Sequence, residues 1–287
     1  MKNVLTLFIL IFLMPQFIIA QSGKVLDNKT MPSKILKMDR NYSIYLHDDY
    51  DSSTRSYPVL YLLHGSGDDH TGWVQFGEVK RITDKAILDG KATAMIIVMP
   101  DANTGQRGYF NSISGDFLYE DFFFQEFIPF IEKTYRIRAE KRYRAIAGLS
   151  MGGGGTIMYA LHHPEMFVAA CPLSAGSGLH DWDTFRETYK RTNPKLTDDQ
   201  ISAYYKQHNG IELVNILPEE KTKAVRWYID CGDDDPRSES NSKFHSAMNK
   251  KGIPHEFRIR DGAHTWGYWR ESLPVVLEFI SQSFHQF

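Results

Sequence analysis

Residues 143–155 read Tyr-Arg-Ala-Ile-Ala-Gly-Leu-Ser-Met-Gly-Gly-Gly-Gly, an apolar run followed by a serine and then by four consecutive glycines. Gly148 to Gly152 fits the pattern G-x-S-x-G, and the segment Met151–His162 behind it is typical of a helix. A serine between a strand and a helix lies on a sharp turn, where glycines two residues away let the neighbouring backbone pass without a Cβ clash. The stretch therefore predicts a strand–turn–helix unit with Ser150 at the turn.

Short apolar runs recur on both sides of this unit, and helix-like segments lie between them. Apolar strands that alternate with helices indicate a mostly parallel sheet with helices on both faces. N-terminal to these runs, a polar stretch (21–33) precedes Ile35–Leu46. The partial alternation of apolar and polar residues in Ile35–Leu46 resembles an antiparallel hairpin at the sheet edge. The predicted strands are Tyr57–Leu63, Ala94–Met99, Tyr143–Ala147, Phe167–Leu173, Val225–Ile229 and Glu256–Ile259. The predicted helices are Tyr119–Tyr135, Met151–His162, Glu239–Lys250 and Glu271–Phe284.

Residues 177–222 interrupt this alternation with polar helix-like fragments and two aromatic pairs, Trp182/Phe185 and Tyr204/Tyr205. A structureless loop of this length is uncommon inside a compact domain, so the segment is predicted to form a small helical cap. Neither a repeat nor a low-complexity linker divides the sequence. Residues 21–287 are therefore predicted to form a single domain.

Composition excludes several classes of protein. The 287 residues are 42% hydrophobic, which is enough for a large core, and 33 basic against 35 acidic residues give a net charge of −2. This balance argues against a nucleic-acid-binding protein or a polybasic membrane-surface protein. Two cysteines are too few for a disulfide framework or a cysteine-rich zinc site. Cys171 and Cys231 lie in or beside apolar strand-like runs and are interpreted as buried core residues rather than as a bridge.

The N-terminus has the features of an export signal. Lys2 precedes the apolar run Val4–Met14, and the small residue Ala20 ends the segment at a suitable cleavage site. We expect residues 1–20 to be a signal peptide that is cleaved after Ala20, and the protein to be secreted or periplasmic without stable membrane association. The alternative is an uncleaved anchor, because Val4–Ala20 is close to the shortest membrane-spanning length.

The residues around Ser150 point to nucleophilic catalysis. A serine becomes a good nucleophile when a base takes its proton, and that base needs an orienting carboxylate. In a strand–turn–helix architecture of this kind the chain order is serine, acid, histidine. His264 follows the last predicted strand in a glycine turn and is the candidate base. The candidate acid is one of three consecutive aspartates after the preceding strand, Asp233, Asp234 and Asp235, and the local sequence does not select among them.

Two backbone amides are candidates for an oxyanion hole. Leu63-His64-Gly65-Ser66-Gly67 ends a predicted strand in a glycine turn, and Met151 directly follows the candidate nucleophile. The amides of Ser66 and Met151 are therefore predicted to stabilise an oxyanion. His64, next to the strand end, is interpreted as a structural residue.

Five ordered motifs together resemble the esterase D-like family of α/β-hydrolases, closest to secreted feruloyl and acetyl-xylan esterases, with S-formylglutathione hydrolases and antigen 85 mycolyltransferases as relatives. The similarity spans residues 35–284 and implies the α/β-hydrolase fold. In this family the acid closes a G-x-x-D pattern, which selects Asp235 counted from Gly232. The extra glycines Gly154 and Gly155 and the segment 177–222 depart from the family pattern. The motifs are Tyr57–Gly65, Tyr119–Tyr135, Ala147–Gly153, Cys231–Asp235 and Gly262–Trp269.

The resemblance implies a serine esterase that uses Ser150, Asp235 and His264 and needs no metal or organic cofactor. Export favours an ester on a polysaccharide, and a feruloyl or acetyl ester of plant-wall xylan is the expected substrate. The alternatives are an extracytoplasmic acyltransferase, an S-formylglutathione hydrolase-like thioesterase and a non-catalytic carbohydrate-binding protein. An aromatic platform for a sugar or a phenolic acyl group is one interpretation of Trp182, Trp266 and Trp269, and simple packing is the other.

Overall fold

The computed structural model describes residues 22–103, 105, 108–176 and 182–285, so the predicted signal peptide (1–20) lies outside the described residues. Eight strands form a single sheet in the order β1-β2-β4-β3-β5-β6-β7-β8. β1 and β2 pair antiparallel, β2 pairs antiparallel with β4, and every other pairing is parallel. The strands are β1 (Lys24–Ser33), β2 (Met38–Leu46), β3 (Val59–Leu63), β4 (Ile96–Pro100), β5 (Arg144–Leu149), β6 (Ala169–Leu173), β7 (Arg226–Gly232) and β8 (His255–Arg260).

Alternate residues of the central strands pack into two cores, one on each face of the sheet. On β3, Tyr61 packs into one core, while its neighbours Leu60 and Leu62 pack into the other. All three side chains are fully buried, because successive strand residues point to opposite faces and helices cover both. The prediction of a mostly parallel sheet with helices on both faces is confirmed.

Helices of the first face include α5, α8 and α10, and those of the second face include α2 and α11. A π-helical turn (Phe123–Phe127) joins α3 to α4, so that residues 119–134 form one helical stretch, as predicted. No helix among the described residues combines the length and the apolar character needed to cross a bilayer. The helices are α1 (Gly72–Gln75), α2 (Val79–Leu88), α3 (Tyr119–Phe122), α4 (Ile128–Thr134), α5 (Met151–His162), α6 (Trp182–Thr192), α7 (Asp198–Gln207), α8 (Gly210–Ile216), α9 (Glu219–Thr222), α10 (Ser238–Lys250) and α11 (Trp266–His285).

The edge hairpin begins earlier in the chain than the alternation of apolar and polar residues in Ile35–Leu46 predicted. Its first strand is β1, within the stretch interpreted as polar, and Ile35 lies in the turn before β2. β1 has one strand neighbour, exposes Asp27 and Asn28, and has an irregular register between Leu26 and Lys29. An edge strand of this kind buries too few side chains for alternation to appear in its sequence.

Four helices, α6 to α9, lie within the segment predicted to form a cap, and His162 at the end of α5 connects this segment to the core. His162 Nδ1 donates to Glu120 Oε1 at 2.7 Å, and Nε2 donates to the carbonyl oxygen of Gln207 at 2.8 Å. Both partners are acceptors, so the imidazole satisfies both only when each ring nitrogen carries a proton. The contact therefore favours the imidazolium form.

The charges of this contact stabilise each other. Burial alone lowers the pKa of His162, but the hydrogen bond and the charge of Glu120 outweigh it, and the pKa lies above its ordinary value of 6.5. Burial alone raises the pKa of Glu120, but hydrogen bonds from His162 and His163 outweigh it and lower this pKa to about 2. The contribution of His162 to stability is thus fully present below pH 6.5 and is lost as the pH rises through the elevated pKa. The contribution of Glu120 is present above pH 4.5 and is lost as the pH falls towards 2.

We expect His162→Gln to lower the free energy of unfolding by about 2 kcal/mol near a pH of about 5 to 6 and by clearly less near a pH of about 9. Chemical denaturation at the two pH values measures the difference. His285→Gln, which changes an exposed histidine at the end of α11, is the matched control and should leave stability unchanged at both. An equal loss for His162→Gln at both pH values would contradict a role for its protonated form.

Candidate active site

Ser150 lies between the carboxyl end of β5 and the start of α5, at the centre of the sheet. Its backbone has φ +54° and ψ −113°, a conformation that non-glycine residues rarely adopt. Two hydrogen bonds hold the turn: the Ser150 amide donates to Leu173 O at 2.9 Å, and the Gly154 amide donates to Ser150 O at 3.0 Å. The predicted strand–turn–helix unit is present, and the strained serine lies at the turn.

Gly148 and Gly152 allow this turn because neither has space for a side chain. A Cβ on Gly148 would lie 2.5 Å from Gly152 O, and a Cβ on Gly152 would lie 2.6 Å from His64 O. Both neighbours are backbone atoms, which cannot move aside as a side chain can. The two glycines of the sequence pattern therefore let β5, α5 and the end of β3 approach closely.

His264 and Asp235 reach Ser150 from the ends of β8 and β7. His264 Nε2 lies 2.9 Å from Ser150 Oγ, and Nδ1 lies 2.8 Å from Asp235 Oδ2. With Nδ1 protonated by its bond to the carboxylate, Nε2 is free to accept the serine proton. The structure thus brings together the three side chains that the sequence singled out.

Only one of the three consecutive aspartates contacts the imidazole. Asp235 is 2% exposed, and its second oxygen, Oδ1, accepts a hydrogen bond from the amide of Arg237 at 2.8 Å. Asp233 is exposed and accepts from the amides of Asp234 and Gly262, both at 3.0 Å. The sequence of the loop left this choice open, and the geometry selects the aspartate that the family pattern had indicated.

Ser66 and Met151, whose amides are the predicted oxyanion donors, both line the cavity next to Ser150. Among the described residues neither amide has a hydrogen-bond acceptor, and Met151 is the first residue of α5, where amides lack an intrahelical partner. They remain predicted oxyanion donors.

His64 is a buried scaffold residue, as interpreted: Nδ1 donates to Gly65 O at 2.8 Å, and Nε2 accepts from the Ala102 amide at 2.9 Å. Burial lowers the pKa of His64, which agrees with a neutral ring.

An open cavity of about 770 Å³ borders Ser150 and is lined mainly by three parts of the chain, with Ser66, Phe110 and Gly176 contributing from other loops. One wall comes from Met151 and Met158 on α5, and a second comes from the start of α10. The third comes from the segment 182–222, mainly from the end of α7 and the start of α8. This third wall carries Tyr205, His208, Asn209, Ile211 and Glu212.

None of the three tryptophans predicted as a binding platform is among the described residues that line this cavity. Trp269 is 5% exposed, lies edge-on to the His264 ring at 4.9 Å and donates from Nε1 to Ser174 Oγ at 3.0 Å. Trp266 packs edge-on against Trp73 at 5.2 Å, and Trp182 packs against Tyr205 at 5.5 Å. These contacts favour packing, with Trp269 holding the histidine loop, and substrate contact by any of the three stays a prediction.

The last helix, α11, begins at Trp266 and therefore earlier than predicted, because the sequence pattern had placed its start at Glu271. The earlier start places α11 directly behind His264.

Cys171 and Cys231 are buried and free, in agreement with their interpretation as core residues.

Asp230, on β7, was missed by sequence reasoning. Its fully buried carboxylate accepts hydrogen bonds from Tyr228 Oη at 2.9 Å, from Tyr268 Oη and from Arg260 Nη2 at 2.8 Å. These contacts tie β7, β8 and α11 together directly below the loops that carry Asp235 and His264. A lone acid inside an apolar strand run is the signal that identifies such a residue in the sequence.

A mostly parallel sheet with a strained serine after its central strand, hydrogen-bonded to a histidine and an aspartate from later strand ends, defines an α/β-hydrolase. Residues 33–280 match the sequence profile of the family described as "Putative esterase". The chain belongs to this family, and the predicted family resemblance and fold class are confirmed.

Individual relatives agree with this assignment. A solved structure of a ferulic acid esterase superimposes with a TM-score of 0.80 at 35% identity, covering 92% of this chain and 99% of the other. An endo-1,4-beta-xylanase/feruloyl esterase of Xylanibacter ruminicola is 34% identical over 231 residues, 78% of this chain. The match covers 26% of that relative, so the chain spans about a quarter of its length. An acetyl esterase of Caldicellulosiruptor saccharolyticus is 23% identical over 266 residues, 91% of this chain and 96% of that protein.

Proposed function

We propose that this protein is a serine carboxylic-ester hydrolase that acts through an acyl-enzyme intermediate. The observation that carries the proposal is the hydrogen-bonded line from Ser150 Oγ through His264 to Asp235, at 2.9 and 2.8 Å, with Ser150 lining an open cavity. Both distances lie within the range needed for proton transfer and for orientation of the base.

In the first half of the reaction, Ser150 Oγ attacks the ester carbonyl carbon while His264 Nε2 accepts the hydroxyl proton. Asp235 stabilises the imidazolium, and the amides of Ser66 and Met151 donate to the carbonyl oxygen as it becomes an oxyanion. The tetrahedral intermediate then collapses. His264 returns the proton to the departing alkoxide, the alcohol leaves, and the acyl group remains on Ser150 as an ester.

In the second half, water replaces the alcohol. His264 Nε2 takes a proton from water, whose oxygen attacks the acyl-enzyme carbonyl. The second tetrahedral intermediate expels Ser150 Oγ, which recovers its proton from His264, and the carboxylic acid is released. Ester and water are thus converted into acid and alcohol, with the triad returned to its starting state.

The substrate class that we propose is a feruloyl or acetyl ester carried by a plant cell-wall polysaccharide. The support is the 35% identity over almost the full length of a ferulic acid esterase, together with the relatives described as a xylanase/feruloyl esterase and an acetyl esterase. Met151, Met158 and Phe110 give the cavity an apolar side suited to an acyl group, while Asn209 and Arg237 give it a polar side. We also propose that the protein acts outside the cytoplasm, on the basis of Lys2, the apolar run and Ala20.

Initial rates on p-nitrophenyl acetate, p-nitrophenyl butyrate, methyl ferulate and acetylated xylan test this proposal. We expect release of ferulate or acetate from the last two substrates, measured by chromatography and abolished in Ser150→Ala. A xylo-oligosaccharide acceptor in a parallel reaction separates hydrolysis from acyl transfer. Acylated acceptor that forms faster than free acid would contradict the proposed hydrolase and identify an acyltransferase.

A further inference from the structure

Arg237 lies in the wall of the active-site cavity, two residues after the triad aspartate. Its amide donates to Asp235 Oδ1 at 2.8 Å, and the next residue begins α10, so its main chain is fixed relative to the triad. The half-buried side chain lines the same cavity as Ser150. The mechanism proposed above gives this side chain no role.

Gly176 provides the space in which the guanidinium lies. A Cβ at this position would be 2.7 Å from Arg237 Nη1, closer than van der Waals contact permits. Gly176 also lines the cavity, so the guanidinium lies against main chain at the cavity wall. A larger residue at position 176 would force the charged group to move.

No carboxylate in the described part of the chain lies within ion-pair distance of this guanidinium, which also donates no hydrogen bond to a described residue. Lys243, on α10 in the same wall, is different, because it pairs with Glu239 at 2.7 Å. Glu212, the other acid of the cavity lining, is beyond ion-pair distance of Arg237. A guanidinium has five N–H donors in a plane that matches a carboxylate. Arg237 therefore brings to the cavity a charge and donors that no described residue matches.

The cavity continues into a groove of about 440 Å³ between α8 and α10, because Ile211, Glu239 and Lys243 line both. Most of the other groove residues are polar, among them Asn215 and Ser242. Asn215 and Ser242 supply hydrogen-bonding groups and Ile211 supplies apolar surface, which together suit the hydroxyl groups and the apolar ring faces of a carbohydrate. The groove extends the site beyond the space that one acyl group needs.

We propose that Arg237 binds a carboxylate on the alcohol portion of the substrate, so that the preferred esters are carried by acidic carbohydrates such as oligosaccharides with a uronic acid residue. This inference rests on the proposed function, because it takes Ser150 as the position where the ester is cleaved. The alcohol portion is the part assigned to Arg237 because α10 leads from Arg237 along the groove, where Asn215 and Ser242 offer hydrogen bonds to a sugar.

The test compares acetylated xylo-oligosaccharides that carry a glucuronic acid branch with matching oligosaccharides that carry a glucose branch. We expect the wild-type kcat/KM to be about tenfold or more higher for the acidic substrate, since hydrogen bonds to a charged group have effects of this size. In Arg237→Gln the ratio of the two kcat/KM values should fall to about one, and Arg237→Lys should give an intermediate ratio. The matched control is Arg81→Gln, which removes an exposed arginine from α2, away from the cavity lining, and should keep the wild-type ratio.

Binding measured without turnover separates this inference from the proposed function. Calorimetry with the unesterified acidic oligosaccharide should give at least about tenfold weaker binding to Ser150→Ala/Arg237→Gln than to Ser150→Ala. A wild-type kcat/KM ratio near one, or an unchanged ratio in Arg237→Gln, would overturn the role of Arg237 and leave ester hydrolysis intact. If no ester is hydrolysed while binding still depends on Arg237, the proposed function fails and the anion site stands.

Discussion

Ser150→Ala is expected to lower kcat on every ester that the wild type hydrolyses by a factor on the order of 10⁶. The hydroxyl that His264 Nε2 faces at 2.9 Å is the attacking group, and alanine offers no replacement. The variant keeps the Cβ and the backbone hydrogen bonds of the turn, so the melting temperature should change little. Steady-state rates on p-nitrophenyl acetate and thermal unfolding followed by circular dichroism measure both.

Ser56→Ala is the matched control for this experiment. Ser56 is exposed and precedes β3, so removal of its hydroxyl should leave both the rate and the melting temperature at wild-type values. If Ser150→Ala retained most of the wild-type activity, a different residue would be the nucleophile.

Asp235→Asn is expected to lower kcat by a factor of about 10⁴ with little change in the fold. The carboxylate accepts the Nδ1 proton of His264 at 2.8 Å and so leaves Nε2 free to take the serine proton. An amide directs an N–H group at the ring instead, favours the opposite tautomer and cannot balance the imidazolium charge. Steady-state kinetics with the same ester as for Ser150→Ala measures the loss.

The neighbouring aspartates supply controls with the same chemical change. Asp233 and Asp234 are exposed, and neither contacts the imidazole, so Asp233→Asn and Asp234→Asn should keep kcat within about threefold of the wild type. A larger loss in either of these variants than in Asp235→Asn would assign the acid to another position in the loop.

The positions of the central strands and of the helices between them were predictable from the sequence. A strand that is buried on both faces appears as a continuous apolar run, and such runs are easy to recognise. The run before Ser150 and the helix behind it appear where the apolar sequence and the glycines place them, and α5 has the predicted bounds, Met151–His162. The choice among three consecutive aspartates was not accessible from the loop itself, since all have the same chemistry. It needed either a family pattern or coordinates.

Other features depend on contacts between distant parts of the chain. Asp230 is recognisable in the sequence as a lone acid in an apolar run, but its partners Arg260, Tyr228 and Tyr268 are known only from the coordinates. Arg237 follows an acidic loop, and only the coordinates show that its guanidinium faces the cavity with no carboxylate of the described residues in ion-pair distance. β1 was not predicted from the sequence, because an edge strand with exposed polar residues lacks the periodic burial on which strand prediction depends.

The cavity wall formed by the end of α7 and the start of α8 is contributed by the segment 182–222, whereas the triad comes from the ends of β5, β7 and β8. One wall of the cavity and the bond-breaking triad are therefore encoded in separable stretches of the gene. Substitutions in the helical segment can shift the range of accepted esters over evolutionary time while the geometry that breaks the bond is inherited unchanged.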